Sequence, residues 1–162
     1  MTNFKQKIDL LKKEFLEWPS ATFHGLELEN LDAGKATGRL RINPIVFTPH
    51  PLKLVNGLMI ATTASMVGVY AVRTLIDDEY PVLDNTRPIK LKEFTIPIEK
   101  SLFIETWVSN DRAAQKDKIT LVAKITSVRG RHKATFIFDY KIVPKKIMEN
   151  KICSLADSLT AL

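Results

Sequence analysis

Between Leu54 and Ile76 the chain reads LVNGLMIATTASMVGVYAVRTLI, with Arg73 as its one charge, and this run limits what the remainder can fold into. An uncharged run of about twenty residues has the length of a membrane span. The composition argues against that use. Asn56, Gly57, Thr62, Thr63, Ser65 and Gly68 are a heavy polar and small-residue load for lipid, and no basic and aromatic belt brackets both ends. A helix that is apolar nearly all round and stays out of lipid must be buried on most sides, which a sheet wrapped around it achieves most simply. The run is therefore read as a central core helix. Asn56 precedes its apolar stretch as an N-cap, and Gly57 permits close approach to the first turn. Free N–H groups and the positive end of the helix dipole make that terminus a place for a carbonyl oxygen or an anion. The same residues are equally those of an ordinary capped, buried helix.

On either side of the run the periodicity is that of short elements. Phe4, Ile8, Leu11 and Phe15 recur at helical spacing with Lys5, Lys7, Lys12 and Lys13 on the other faces, predicting an amphipathic helix over residues 3–17. It ends before Trp18-Pro19, because the residue before a proline is pushed out of the helical region. The basic face could meet an anionic membrane, but packing on the domain is preferred. From Phe23 the period is two: Leu26 and Leu28, a turn at Asp32-Ala33-Gly34, then Ala36, Gly38, Leu40 and Ile42, which is a hairpin with one buried face. Residues 43–53 carry three prolines and His50, and form the loop into the helix. Beyond the helix, Asp77, Asp78 and Glu79 mark an exposed exit, followed by a loop through Pro81 to about Arg87. Four strands are expected after it. Ile89 and Leu91 differ in parity from Phe94, Ile96 and Ile98, implying a bulge near Lys92-Glu93. Leu102 to Val108, Ile119 to Ile125 and Ala134 to Ile142 are the others, with a polar turn over residues 109–118 and a basic hairpin tip from Arg129 to Lys133. Pro144 closes the sheet, and residues 145–162 repeat Ile152, Leu155, Ala156 and Leu159 at helical spacing.

A chain of 162 residues is most simply one domain, here with an N-terminal helix over residues 1–18 and a helical tail over 145–162. The fold class is α+β: an antiparallel sheet of five to six strands around one long helix, since no parallel crossover pattern appears. One cysteine excludes an internal disulfide, no His/Cys cluster has zinc-ligand spacing, and no metal is expected. The first residues lack a basic region followed by an apolar stretch, so no signal peptide is read and a cytoplasmic location is expected. A net charge of +6 points weakly to an anionic partner. Nucleic acid is not expected, because the aromatics fall on core-facing positions instead of alternating with a basic stripe.

The pattern resembles the hotdog fold, and within it the acyl-CoA thioesterase branch related to the phenylacetate-pathway and 4-hydroxybenzoyl-CoA enzymes. Over roughly Phe23 to Val143 the resemblance rests on short motifs: Gly25-Leu26-Glu27 with Gly34-Lys35-Ala36 as the opening hairpin, Val55-Asn56-Gly57 where the family has a His-Gly-Gly turn, and Pro97 where it has an Arg-Pro pair. It implies a homodimer or a dimer of dimers, an acyl-CoA or acyl-carrier-protein thioester as partner, and no cofactor beyond the CoA of the substrate. It also implies a thioester carbonyl held by the N–H groups of Gly57 and Leu58, with Asn56 adding an amide. The family's helix carboxylate would stand where this chain has Ser65, and no Asp or Glu occurs from Leu54 to Ile76. A serine without a base is a poor nucleophile. Three readings stay open. Ser65, Thr62 and Thr63 hold a water activated by a carboxylate from elsewhere, such as Asp77, Asp84 or a residue of the partner subunit. Alternatively His50 is the base, as in the hydroxyacyl-thioester dehydratase branch, although a histidine between prolines is commonly structural. In the third, the site binds acyl-CoA without cleaving it. Arg129, Arg131 and Lys133 are the candidate contacts for CoA phosphates, with Arg73 and Arg87 behind them, unless that tip is simply a solvated turn.

Overall fold

A computed structural model describes residues 3–42, 57–94, 100–109 and 118–148. Helix α1 (Phe4–Leu16) starts at a capping box in which Asn3 and Gln6 exchange side-chain and backbone hydrogen bonds. Trp18 ends the turn that follows, and Pro19 opens a five-residue helix α2 (Pro19–Phe23), too short to show a period in the sequence. Strands β1 (Leu26–Asp32) and β2 (Lys35–Arg41) form the expected hairpin, turning at Gly34, whose φ of 67° suits glycine. Helix α3 spans Gly57–Arg73. After it come β3 (Glu79–Leu83), β4 (Lys90–Phe94), β5 (Ser101–Val108), β6 (Lys118–Ser127) and β7 (His132–Pro144).

All pairings are antiparallel, and the seven strands make one sheet in the order β1-β2-β5-β6-β7-β3, with β4 also paired to β7. This is a hotdog fold: a curled sheet around a central helix. The long β7 carries β3 and β4 end to end along one side, Leu83 facing Tyr140 and Lys90 facing Ile137. Two expectations need correction. Among the described residues the sheet has seven strands instead of five to six, and the extra one is β3, within the stretch that the sequence predicts as an exposed exit and a loop through Pro81 to about Arg87. Pro81 is tolerated there because β3 borders the sheet, so its missing N–H breaks no ladder. The expected bulge near Lys92 is present as a register shift between Lys92 and Phe94. Residues 110–117 and the tail beyond Met148 lie outside the described residues, while 145–148 are helical.

The register explains the core. Gly38, Ile104, Ile125 and Ala134 form one row across β2, β5, β6 and β7, and Ala36, Thr106, Ala123 and Phe136 form the next. These residues face α3, on which Ile60, Ala64, Val67, Ala71 and Val72 are fully buried. Strands β1, β2, β3, β5, β6 and β7 all pack against that helix. A near-complete apolar circumference is thus satisfied on most sides by sheet and on another by α1, where Phe15 meets Tyr70 edge-on at 5.1 Å between ring centres. Among the described residues no helix is long and apolar enough to cross a membrane. Of the basic residues of α1, Lys7 is held against the domain, its Nζ donating to the Ile76 carbonyl (2.8 Å) and to Asp77 (2.6 Å).

Candidate functional site

One face of α3 is not covered by the sheet. At 3.6 residues per turn, Leu58, Ala61, Thr62, Ser65 and Val69 line up along it. Together with Trp18 from the α1–α2 corner, Leu83 from β3 and Ile89 before β4, they line a groove of about 290 Å³. The walls are mostly apolar, and Leu58 at the open rim is 68% exposed. The groove starts in the first turn of the helix, at the positive end of its dipole.

Three hydroxyls were candidates on this face, and the structure separates them. Thr62 Oγ1 donates to the Leu58 carbonyl (2.9 Å), and Thr63, fully buried, donates to the carbonyls of Met59 and Ile60. Both are spent on their own helix, the usual fate of such a side chain in a helix interior. Ser65 is different. Its Oγ lies 2.7 Å from Tyr140 Oη, and the phenol is also within 3.2 Å of the Ser65 carbonyl oxygen, to which it can donate. Tyr140 is 1% exposed on the inner face of β7, and burial pushes its hydroxyl up to about 12, the bond to Ser65 opposing only part of that rise. At neutral pH it is a neutral donor and acceptor, a fixed partner for Ser65 but no base. Sequence reasoning treated Tyr140 as core. The readable signal was a hydroxyl in the inward parity of Phe136 and Phe138, since a buried phenol needs a partner.

The carboxylates considered as remote bases are committed elsewhere. Asp77 is exposed and paired with Lys7. Asp84, 2% exposed, accepts from the Thr86 hydroxyl (2.6 Å) and backbone (3.1 Å) and from Lys141 Nζ (3.0 Å). Those bonds, Thr86 first and Lys141 next, hold its carboxyl down at about 2. Lys141 alternates with Tyr140 along β7 and so belongs to the opposite face of the sheet from Ser65. Among the described residues, the side chain of Ser65 bonds to Tyr140 and to no carboxylate.

Gly57 stands at the first position of α3. Asn56 and His50 lie outside the described residues. His24 caps α2, with Nδ1 2.6 Å from the Ser20 carbonyl. Arg129 and Arg131 are exposed in the β6–β7 turn, their backbone N–H groups donating to Ser127 Oγ, whereas Lys133 is 7% exposed inside β7. The turn and Lys133 therefore do not present one exposed cluster. Arg87 pairs with Asp139 (3.2 Å), and Arg73 holds both oxygens of Glu14. Among the described residues no group of His, Cys, Asp and Glu is arranged to hold a metal ion.

The sequence matches no family model and no curated protein. Solved structures do match. A thioesterase family protein from Silicibacter pomeroyi is 13% identical with a TM-score of 0.71, the match covering 88% of this chain and 99% of that one. The PaaI protein of Escherichia coli, from the phenylacetic acid degradation operon, is 13% identical with a TM-score of 0.71, covering 86% of this chain and 95% of its own. A thioesterase from Haemophilus influenzae is 9% identical with a TM-score of 0.69, covering 85% and 91%. At these identities the likeness is one of fold.

Proposed function

We propose that this chain is an acyl-thioester hydrolase acting on acyl-CoA or an acyl-carrier-protein thioester. The observation that carries the reading is the apolar groove along α3, which opens at the first turn of the helix and has the Ser65 hydroxyl in its wall. In this reading the acyl chain lies in the groove and the thioester carbonyl oxygen accepts from the N–H groups of Gly57 and Leu58, with the Asn56 amide as a third donor. Ser65, steadied by Tyr140, holds the attacking water. His50 takes a proton from that water as it adds to the carbonyl, and returns it to the sulfur as the carbon–sulfur bond breaks. Of the three histidines, His24 follows α2 and His132 opens β7, while His50 belongs to the proline-rich loop that precedes α3 in the sequence. Arg129 and Arg131 supply exposed charge for the CoA phosphates. The resemblance of the sequence to hotdog thioesterases, and the shared fold, support a homodimer as the working form.

The test is release of free thiol from acyl-CoAs. Gly57→Val puts a branched side chain where the carbonyl must approach, and turnover should fall by about a hundredfold or more, with the circular dichroism of the wild type retained. Undiminished turnover in that variant would sink the reading. Ser65→Ala should also lose turnover while still binding the substrate.

A second reading, binding without cleavage, is favoured by one observation: α3 carries no Asp or Glu, and the partner of Ser65 is a neutral phenol. A rise in melting temperature with acyl-CoA, with no thiol released, would select it.

A further inference from the structure

The face of α3 that carries Ser65 does not end at Val69. Arg73 continues it, and with Tyr70 on the adjoining flank borders a second chamber of about 400 Å³, also walled by Trp18, Val69, Tyr80 and Glu14. The two chambers share Trp18 and Val69. From Ser65 to Arg73 is eight residues, or about 12 Å along the helix axis. The first chamber alone is at the small end for a ligand pocket, for which roughly 300–1,000 Å³ is usual, whereas the two in line are comfortably within it.

The charges of the second chamber are already paired. The Arg73 guanidinium is bound through both nitrogens by the Glu14 carboxylate and lies 5.4 Å from the ring centres of both Tyr70 and Tyr80. Glu17 is within 4.0 Å of Lys13. What remains facing the cavity is aromatic and aliphatic: Trp18 tilted against Tyr70 at 6.1 Å, with Pro19, Val69 and Tyr80. Such a surface suits methylene groups, and a free carboxylate there would meet Glu14 and Glu17. Trp18 owes its position to the proline after it, which ends α1 and starts α2 so that the indole lies perpendicular to the Phe15 ring and tilted against Tyr70.

We infer that the second chamber receives the distal methylenes of a linear, uncharged acyl chain, with Trp18 and Val69 forming the neck that sets which chain lengths the groove prefers. The inference rests on the reading of Ser65 as the reacting end. It assigns a specificity role to Trp18 and Val69, and makes a medium-length straight-chain acyl group the favoured substrate.

A probe that carries the chain but no thioester tests the chamber apart from the chemistry. The chain has two tryptophans, Trp18 and Trp107, so Trp107→Phe leaves Trp18 as the sole indole emitter. Decanol brominated on its terminal carbon should then quench Trp18 saturably, whereas the butanol analogue should not. Val69→Phe, which fills the neck and keeps an apolar residue on the helix, should raise the half-saturating concentration of the decanol probe at least tenfold. It should also lower thiol release from decanoyl-CoA by a larger factor than release from butanoyl-CoA, so that any preference for the longer chain is lost. Absence of quenching by the decanol probe, or quenching unchanged in Val69→Phe, overturns the chamber. Thiol release from butanoyl-CoA reports separately on the reacting end: quenching without release refutes hydrolysis and keeps the chamber, and release without quenching does the reverse.

Discussion

Gly68 lies on the face of α3 that rests on β6. A Cβ built there would overlap Leu121 Cδ2, with Cγ at 3.4 Å and Cδ1 at 3.6 Å, and no other atom is among the three nearest. Leu121 is fully buried, paired across the sheet with Val108 and Phe138, so it has little room to turn away. Gly68→Ala therefore sets two effects against each other. Replacing a mid-helix glycine by alanine stabilises by about 1 kcal/mol. Forcing a methyl into a packed core costs roughly 1–3 kcal/mol, so the net is a destabilisation of about 1 kcal/mol. Leu121→Ala alone should cost about 2–5 kcal/mol. In that background all three obstructing atoms are gone. Gly68→Ala should then stabilise by about 1–2 kcal/mol, from helix propensity and from burying one methyl group at about 0.8 kcal/mol. The effect of one methyl group thus reverses sign, and the cycle yields a coupling of about 2–3 kcal/mol. Urea unfolding of the wild type, both single variants and the double variant measures it. If Gly68→Ala stabilised to the same degree in both backgrounds, the close approach of α3 to β6 would not be what keeps glycine there.

Two further outcomes follow from buried titrating groups. Tyr140 is pushed up to about 12 by burial, so the folded state favours the neutral phenol; that contribution is complete below about pH 10 and is lost as pH rises toward 12. Tyr140→Phe should cost about 1 kcal/mol at neutral pH through the lost bond to Ser65, and should shallow the alkaline fall in stability without abolishing it, because Tyr70 is also pushed up to about 12, by burial first and by Glu14. An alkaline limb as steep as that of the wild type would refute the assignment. Asp84 has the opposite sign. Held at about 2, chiefly by Thr86 and then Lys141, its carboxylate contributes above the unfolded value of about 3.9 and loses that contribution as pH falls through about 2. Asp84→Asn should lower the melting temperature at pH 7 more than at pH 2.5, and an equal loss at both would show that the ion pair and hydroxyl bond are not responsible.

The central helix and most strands were legible because each has a clear period and one buried face. The parity of Phe136, Phe138 and Tyr140 survives into the structure unchanged, as does the bulge at Lys92. Strand β3 was hidden for a physical reason. Its strand character depends on β7 beside it, while its own residues, Glu79, Tyr80 and Pro81, follow an acidic exit and include a proline. Helix α2 is little more than one turn, below the length at which periodicity means anything. Ser65 could be picked out as the residue standing where the family's helix carboxylate is expected, but its partner could not, because 75 residues separate it from Tyr140. The groove walls Trp18, Leu83 and Ile89 come from three separate segments and meet only through the curl of the sheet.

Among the described residues the sheet is bordered by β1 on one side and by β3 and β4 on the other, and β1 and β4 are both irregular: the ladder slips between Leu28 and Asn30 in β1 and between Lys92 and Phe94 in β4. β1 carries Glu27 and Glu29, each salt-bridged to an arginine of β2, and β4 carries Lys90 and Lys92. A kinked, charged margin is a poor template for an incoming extended chain. Slips and charges at β1 and β4 thus act as terminators, disfavouring the addition of a further extended chain along those two strands.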